Sequence, residues 1–193
     1  MKNITTMNTV FIIHGAYSKP RDNWFPWLRG ELGKQVSQRG LCFIPLFPTP
    51  HNQSLESWMT TFKPFLKYVN EHSVFIGHSI GCAFILDLFE RLKQPVAGAI
   101  LVGGFVGPLN NPTFDTINVT FYEKPFDWET ILKKCKQFVV INSDNDPFVP
   151  LRRGKEIAQN LKTELTVIEE RGHFNNKEFP ELLELLCTMV TQR

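Results

Sequence analysis

The chain has 193 residues, with 21 Lys and Arg against 19 Asp and Glu, a net charge of +2. Hydrophobic residues make up 42% and charged residues 21%, with 17 Phe and 4 Trp, which describes a folded globular protein and excludes a disordered one. No basic run stands out, so neither nucleic acid nor a membrane surface is expected as a partner.

One domain over residues 1–193 is expected at this length, with no need of disulfides or a metal to fold. Residues 1–8 (MKNITTMN) are expected to be loosely ordered, and they lack the apolar core of a signal peptide. No apolar stretch approaches the roughly 20 residues of a membrane helix. Cys42, Cys82, Cys135 and Cys187 lie far apart and form no C-x-x-C pair. Isolated thiols of this kind fit a reducing, cytoplasmic setting and do not suggest a zinc cluster.

Six short apolar runs follow one another along the chain: Thr9–Ile13, Leu41–Leu46, Ser73–Ile76, Val96–Val102, Gln137–Asn142 and Glu164–Ile168. Runs of this kind predict strands buried on both faces, as in a parallel sheet. Helical spacing appears between them. It covers Ser57–Asn70 (Trp58, Phe62, Phe65, Leu66, Val69), Ile80–Leu92 (Phe84, Ile85, Leu88, Leu92) and Phe179–Val190 (Leu182, Leu183, Leu186, Val190). The alternation predicts a single α/β domain with about six mainly parallel strands and helices on both faces. Residues 103–127 look irregular, hold three prolines and are expected to form a lid or binding loop.

In such a sheet, ligands bind beyond the carboxyl ends of the strands. The third run ends in Gly77-His78-Ser79-Ile80-Gly81, a G-x-S-x-G expected by chance only about 0.03 times at this chain's own frequencies. Such a turn strains the serine backbone and exposes its hydroxyl at a helix N-terminus, where unpaired N–H groups favour a developing oxyanion. His173, after the sixth run, is the candidate base for Ser79. The candidate acid lies after the fifth run, as Asp144 or Asp146, and would hold the imidazole tautomer.

The oxyanion donors are expected to be the backbone N–H of Ile80 and that of Ala16 or Tyr17. His78 reads as a packing or turn residue, and His14 as one that orients the first loop. His51 and His72 fall in loops. No H-E-x-x-H or similar spacing occurs, so no metal and no cofactor are expected. A dinucleotide or phosphate loop is absent after every run.

Val10–Gly15, Gly77–Gly81, Asp144–Pro150 and Gly172–Asn175 together resemble the α/β-hydrolase fold, and more narrowly the retinoblastoma-binding protein 9 family of serine hydrolases. Residues 121–135, from Phe121-Tyr-Glu-Lys-Pro-Phe-Asp-Trp128 to Cys135, also resemble that family. The similarity runs from about residue 9 to 186, and Ser, then Asp, then His is the chain order of the α/β-hydrolase triad. The resemblance implies a compact hydrolase without a large cap domain and the triad Ser79, Asp146 and His173. The eponymous member is associated with the retinoblastoma protein through L-x-C-x-E. Here the corresponding stretch reads Leu66-Lys67-Tyr68-Val69-Asn70, so that partner is not implied.

The expected activity is cleavage of a small ester, amide or thioester through a Ser79 acyl-enzyme, with a carboxylic ester the favoured class and a small acyl compound as partner. A hydrolase-like binding module with weak or vestigial activity is the alternative. Phe105, Phe114, Phe121, Tyr122, Phe126 and Trp128, together with Trp24, Phe25 and Trp27, are either core residues or pocket walls.

Overall fold

The computed structural model describes residues 9–35 and 40–191, so the expectation for residues 1–8 lies outside the described residues. The strands are β1 (Thr9–Ile13), β2 (Leu41–Phe43), β3 (Val74–His78), β4 (Gly98–Val102), β5 (Phe138–Ser143) and β6 (Leu165–Ile168). They form one sheet in the order β2-β1-β3-β4-β5-β6, and every pair is parallel. The expected α/β architecture is therefore present.

The helices are α1 (Phe25–Gln35), α2 (Leu55–Phe62), α3 (Ile80–Arg91), α4 (Pro112–Asn118), α5 (Trp128–Lys134), α6 (Leu151–Asn160) and α7 (Pro180–Thr191). Strand residues alternate between two cores, as a period of two requires. Phe11, Ile13, Phe75, Ala99, Leu101 and Val140 face a layer built with α2, α3, α5 and α6. Val10, Ile12, Val74, Ile76, Ile100 and Ile141 face a second layer of Trp24, Phe25, Leu28, Phe179, Leu182 and Leu186, from α1, α7 and the residues leading into them. The central strands β1, β3 and β4 are buried throughout, whereas the edge strands β2 and β6 are partly open. Burial on both faces thus holds for the interior strands only, because an edge strand lacks a neighbour on one side.

Three expectations need correction in detail. The second run is a strand only to Phe43. Ser57–Asn70 is not one helix: α2 ends at Phe62 and a 3₁₀ turn covers Lys63–Tyr68, with Pro64 at its start. Proline has no N–H for an α-helical bond and clashes with the preceding turn. Residues 103–127 are not irregular throughout. They hold α4, whose Asn111 cap accepts from Thr113 and Phe114 N–H, followed by a 3₁₀ turn over Val119–Phe121. Seven residues span about two turns, too few for a periodic apolar stripe to show.

That segment is also anchored at many points. Asp115 accepts from Leu109 N–H, Asn111 N–H and Tyr122 O–H, and Thr120 Oγ1 accepts from Leu55 N–H. No cap domain stands over the strand ends among the described residues.

The order of the strands sets where a ligand can enter. The chain leaves β1 toward α1 on one face and leaves β3 toward α3 on the other. The crevice between these two connections opens at the carboxyl edge of the sheet.

Candidate active site

Ser79 stands between β3 and α3 with φ 57° and ψ −126°, a backbone conformation that side-chain-bearing residues rarely adopt. Its N–H donates to Val102 O at 2.9 Å, tying the turn to the end of β4. Two glycines make the turn possible. A Cβ at Gly81 would lie 2.5 Å from Ile13 O, and one at Gly77 would lie 2.8 Å from the Ile85 side chain. Ile13 O belongs to a strand, so the Gly81 contact cannot relax cheaply.

The loop after β1 passes directly over the serine: a Cβ at Gly15 would come within 2.8 Å of Ser79 Cβ. His14 holds this loop, as expected. Its Nδ1 donates to Gly15 O at 2.8 Å and its Nε2 accepts from Phe47 N–H at 3.1 Å. Burial pushes its pKa down, so the ring stays neutral and can both donate and accept.

Of the expected oxyanion donors, the N–H groups of Ile80 and Ala16 bond no acceptor among the described residues. Tyr17 differs: its N–H donates to Thr49 Oγ1 at 2.7 Å. Of these two loop N–H groups, that of Ala16 is unengaged and that of Tyr17 is not.

The base and acid meet as the chain order suggested. His173 Nδ1 donates to Asp146 Oδ2 at 2.7 Å, and the Asp146 side chain is wholly buried. Asp146 Oδ1 accepts from the N–H groups of Phe148 and Val149, each at 2.9 Å, so both carboxylate oxygens are satisfied by donors. With Nδ1 committed to Asp146, Nε2 is the imidazole nitrogen left to handle a proton. Gly103 connects the two halves of the site. It follows Val102, which bonds Ser79, and a Cβ on it would lie 3.5 Å from His173 Nδ1 and 3.6 Å from Asp146 Oδ2. Ser79 and His173 line one cavity of about 440 Å³. No direct Oγ–imidazole hydrogen bond is formed in this structure, and such bonds commonly tighten only when substrate is present.

Asp144, the other candidate acid, bonds elsewhere. Its Oδ1 accepts from Glu170 N–H at 2.9 Å. Beside it, Ser143 Oγ accepts from Arg171 N–H at 3.0 Å and Asn145 Oδ1 from Gly172 N–H at 2.7 Å. Three consecutive side chains thus bind three consecutive N–H groups leading to His173. Sequence reasoning missed Ser143 and Asn145, for which a polar run after a strand is the only signal.

His78 also does more than pack. It is buried, and its Nε2 donates to His173 O at 2.8 Å. Burial, then the neighbouring His173, pushes its pKa down to about 3, so it is neutral at ordinary pH.

The cavity walls are mixed. Phe105, Leu109, Phe114, Phe148 and Val149 form an apolar side. Rings run in edge contact from Tyr17 to Phe114, then Phe148, then His173, with centroids 6.0, 5.6 and 5.3 Å apart. Of the aromatic residues singled out in the sequence, Phe105 and Phe114 reach the cavity. Phe121, Trp24 and Phe25 are buried in the two cores, where Trp27, Tyr122, Phe126 and Trp128 also pack, partly buried. Phe148 and Tyr17, not named as pocket residues, join the wall.

Comparison with known proteins fits this arrangement. A family model described as serine hydrolase matches residues 10–188. The YdeN protein of Bacillus subtilis (strain 168) is 32% identical over 184 residues, 94% of each chain, and serine hydrolase RBBP9 of Rattus norvegicus is 28% identical over 171 residues, 87% of each. The crystal structure of the ydeN gene product from B. subtilis superposes with a TM-score of 0.88 at 29% identity, covering 96% of this chain and 100% of that one. The chain belongs to the serine hydrolase family of RBBP9 and YdeN, with the α/β-hydrolase fold.

Proposed function

We propose that the protein hydrolyses a small, uncharged carboxylic ester through an acyl-enzyme on Ser79. The observation that carries this is the Asp146–His173 pair, bonded at 2.7 Å with the acid side chain wholly buried, on the same cavity as a half-buried serine held in a strained turn. His173 Nε2 takes the Ser79 proton as Oγ attacks the carbonyl carbon. The oxyanion that forms is met by the N–H groups of Ile80 and Ala16, at the N-terminal end of α3 where the helix dipole adds positive potential. The imidazolium, stabilised by Asp146, then protonates the leaving alcohol. Water repeats the sequence to release the acid and restore Ser79.

The apolar side favours uncharged acyl groups, since a charge laid against Phe105, Leu109 and Phe114 would be desolvated; the charged lining residues of the cavity are Asp22 and Lys177. A fluorophosphonate probe is expected to label the wild-type protein and not Ser79→Ala. A p-nitrophenyl ester series from acetyl to decanoyl is expected to show turnover with an optimum among short chains. A protein that resists the probe while a reference serine hydrolase reacts beside it, and that turns over none of the esters, would be a binding module on this fold instead.

A further inference from the structure

Asn118, the last residue of α4, is only 1% exposed, yet it lies on the wall of the Ser79 cavity. Its Oδ1 accepts a 2.6 Å hydrogen bond from Gln53 Nε2, which also donates to Ile117 O at 3.2 Å. The second contact fixes both amides. A backbone carbonyl can only accept, so that end of Gln53 is its NH₂ group, and Asn118 must answer with its oxygen. Asn118 Nδ2 is therefore turned away from Gln53. It donates to nothing in the protein, and it is not sealed in: the enclosed orphan atom of this pair is Gln53 Oε1. Nor does the Asn118 side chain cap the 3₁₀ turn that follows it. Phe114, one helical turn earlier on the same face of α4, lines the same cavity.

An amide locked at one end, with two N–H donors unspent at the other, is a preorganised donor for a ligand in the cavity that Asn118 lines. We propose that Asn118 Nδ2 recognises the substrate. On the acyl-hydrolase reading above, one arm of the ester is a short apolar chain carrying an uncharged oxygen acceptor, an ether, hydroxyl or carbonyl, that bonds this amide. An ionic group is disfavoured at this point because Asn118 is neutral and Phe114 beside it is apolar, the charged lining residues being Asp22 and Lys177.

Matched esters that differ by one methylene-to-oxygen replacement test this. p-Nitrophenyl pentanoate against p-nitrophenyl 3-methoxypropanoate probes the acyl arm, and butyl acetate against 2-methoxyethyl acetate probes the alcohol arm. Each enzyme is first titrated with a fluorophosphonate to count active sites. The kcat/KM ratio within a pair does not depend on how much enzyme is folded. Comparison of that ratio between variants cancels the intrinsic reactivity of the oxygenated ester.

In one of the two pairs, the wild-type preference for the oxygen-bearing ester is expected to exceed that of Asn118→Leu about tenfold, as for a neutral hydrogen bond in a shielded site. Asn118→Asp, which replaces the donor with an acceptor, is expected to lose the preference as well. Gln53→Leu, which lets the amide turn over without altering the cavity wall, is expected to lose part of it. A fluorophosphonate that fails to label wild type overturns the acyl-hydrolase reading beneath the proposal. Labelling together with the same oxygen effect in wild type and Asn118→Leu, in both pairs, overturns the Asn118 subsite alone.

Discussion

The Ser79 turn and the His173 loop face the same cavity but are held by different forces. At Ser79 the constraint is steric: backbone approaches backbone, and Gly81 sits where any Cβ would meet Ile13 O at 2.5 Å. At His173 the constraint is polar. The N–H groups of residues 170–172 are received by Asp144, Ser143 and Asn145, and His173 O is held by His78. A steric turn tolerates almost no change, because repulsion rises steeply over tenths of an ångström. A hydrogen-bonded loop should degrade by steps of about 1 kcal/mol per bond, and each bond can be restored by another donor or acceptor.

The largest effect is expected at the acid. Asp146→Asn keeps an oxygen for the Phe148 and Val149 N–H groups but turns an NH₂ toward His173 Nδ1, favouring the wrong tautomer. A fall in kcat of roughly 10³–10⁴ is expected with little change in Tm. A loss under tenfold in steady-state kinetics would place the acid elsewhere. Next comes Gly81→Ala, expected to lower unfolding free energy by about 3 kcal/mol by chemical denaturation and to remove fluorophosphonate reactivity. Wild-type stability in that variant would break the steric half of the comparison.

A third effect concerns pH. His78 has a folded-state pKa pushed down to about 3 from an ordinary 6.5, so the unfolded chain binds a proton more readily between those values. Its contribution to stability is present above about pH 6.5 and is lost as pH falls toward 3. From pH 7 to pH 5 this amounts to about 2 kcal/mol of lost unfolding free energy. His14, shifted the same way, adds to the slope. His78→Phe should flatten the acid limb measured by denaturant titration at several pH values, and an unchanged slope would contradict a neutral buried ring.

The same substitution gives the smallest expected effect on rate. His78→Phe fills the space but gives His173 O no donor, and kcat is expected to fall about tenfold with KM little altered. His78→Gln, whose amide can donate, should recover most of that loss. A purely packing role would show the reverse, with Phe tolerated and Gln harmful.

Much of this site is legible along the chain because its demands are local. The G-x-S-x-G between an apolar run and a helical pattern specifies its own turn, and the interior strands declare themselves through residues buried on two faces. Ser79, Asp146 and His173 fall at strand ends, and a parallel sheet brings all such ends to one edge. That much follows from residue order, β-periodicity and the handedness of crossovers.

Other features depend on partners distant in sequence. Tyr17 and Ala16 look equivalent as oxyanion donors until Thr49 takes the Tyr17 N–H. Asp144 and Asp146 look equivalent until one reaches an imidazole and the other a backbone N–H at Glu170. Asn118 carries no motif at all, and the orientation of its amide is defined only by Gln53 and Ile117. Sterics and periodicity are carried by neighbours along the chain and can be read from it. A hydrogen bond between residues dozens of positions apart is decided only when the fold has set their distance and direction.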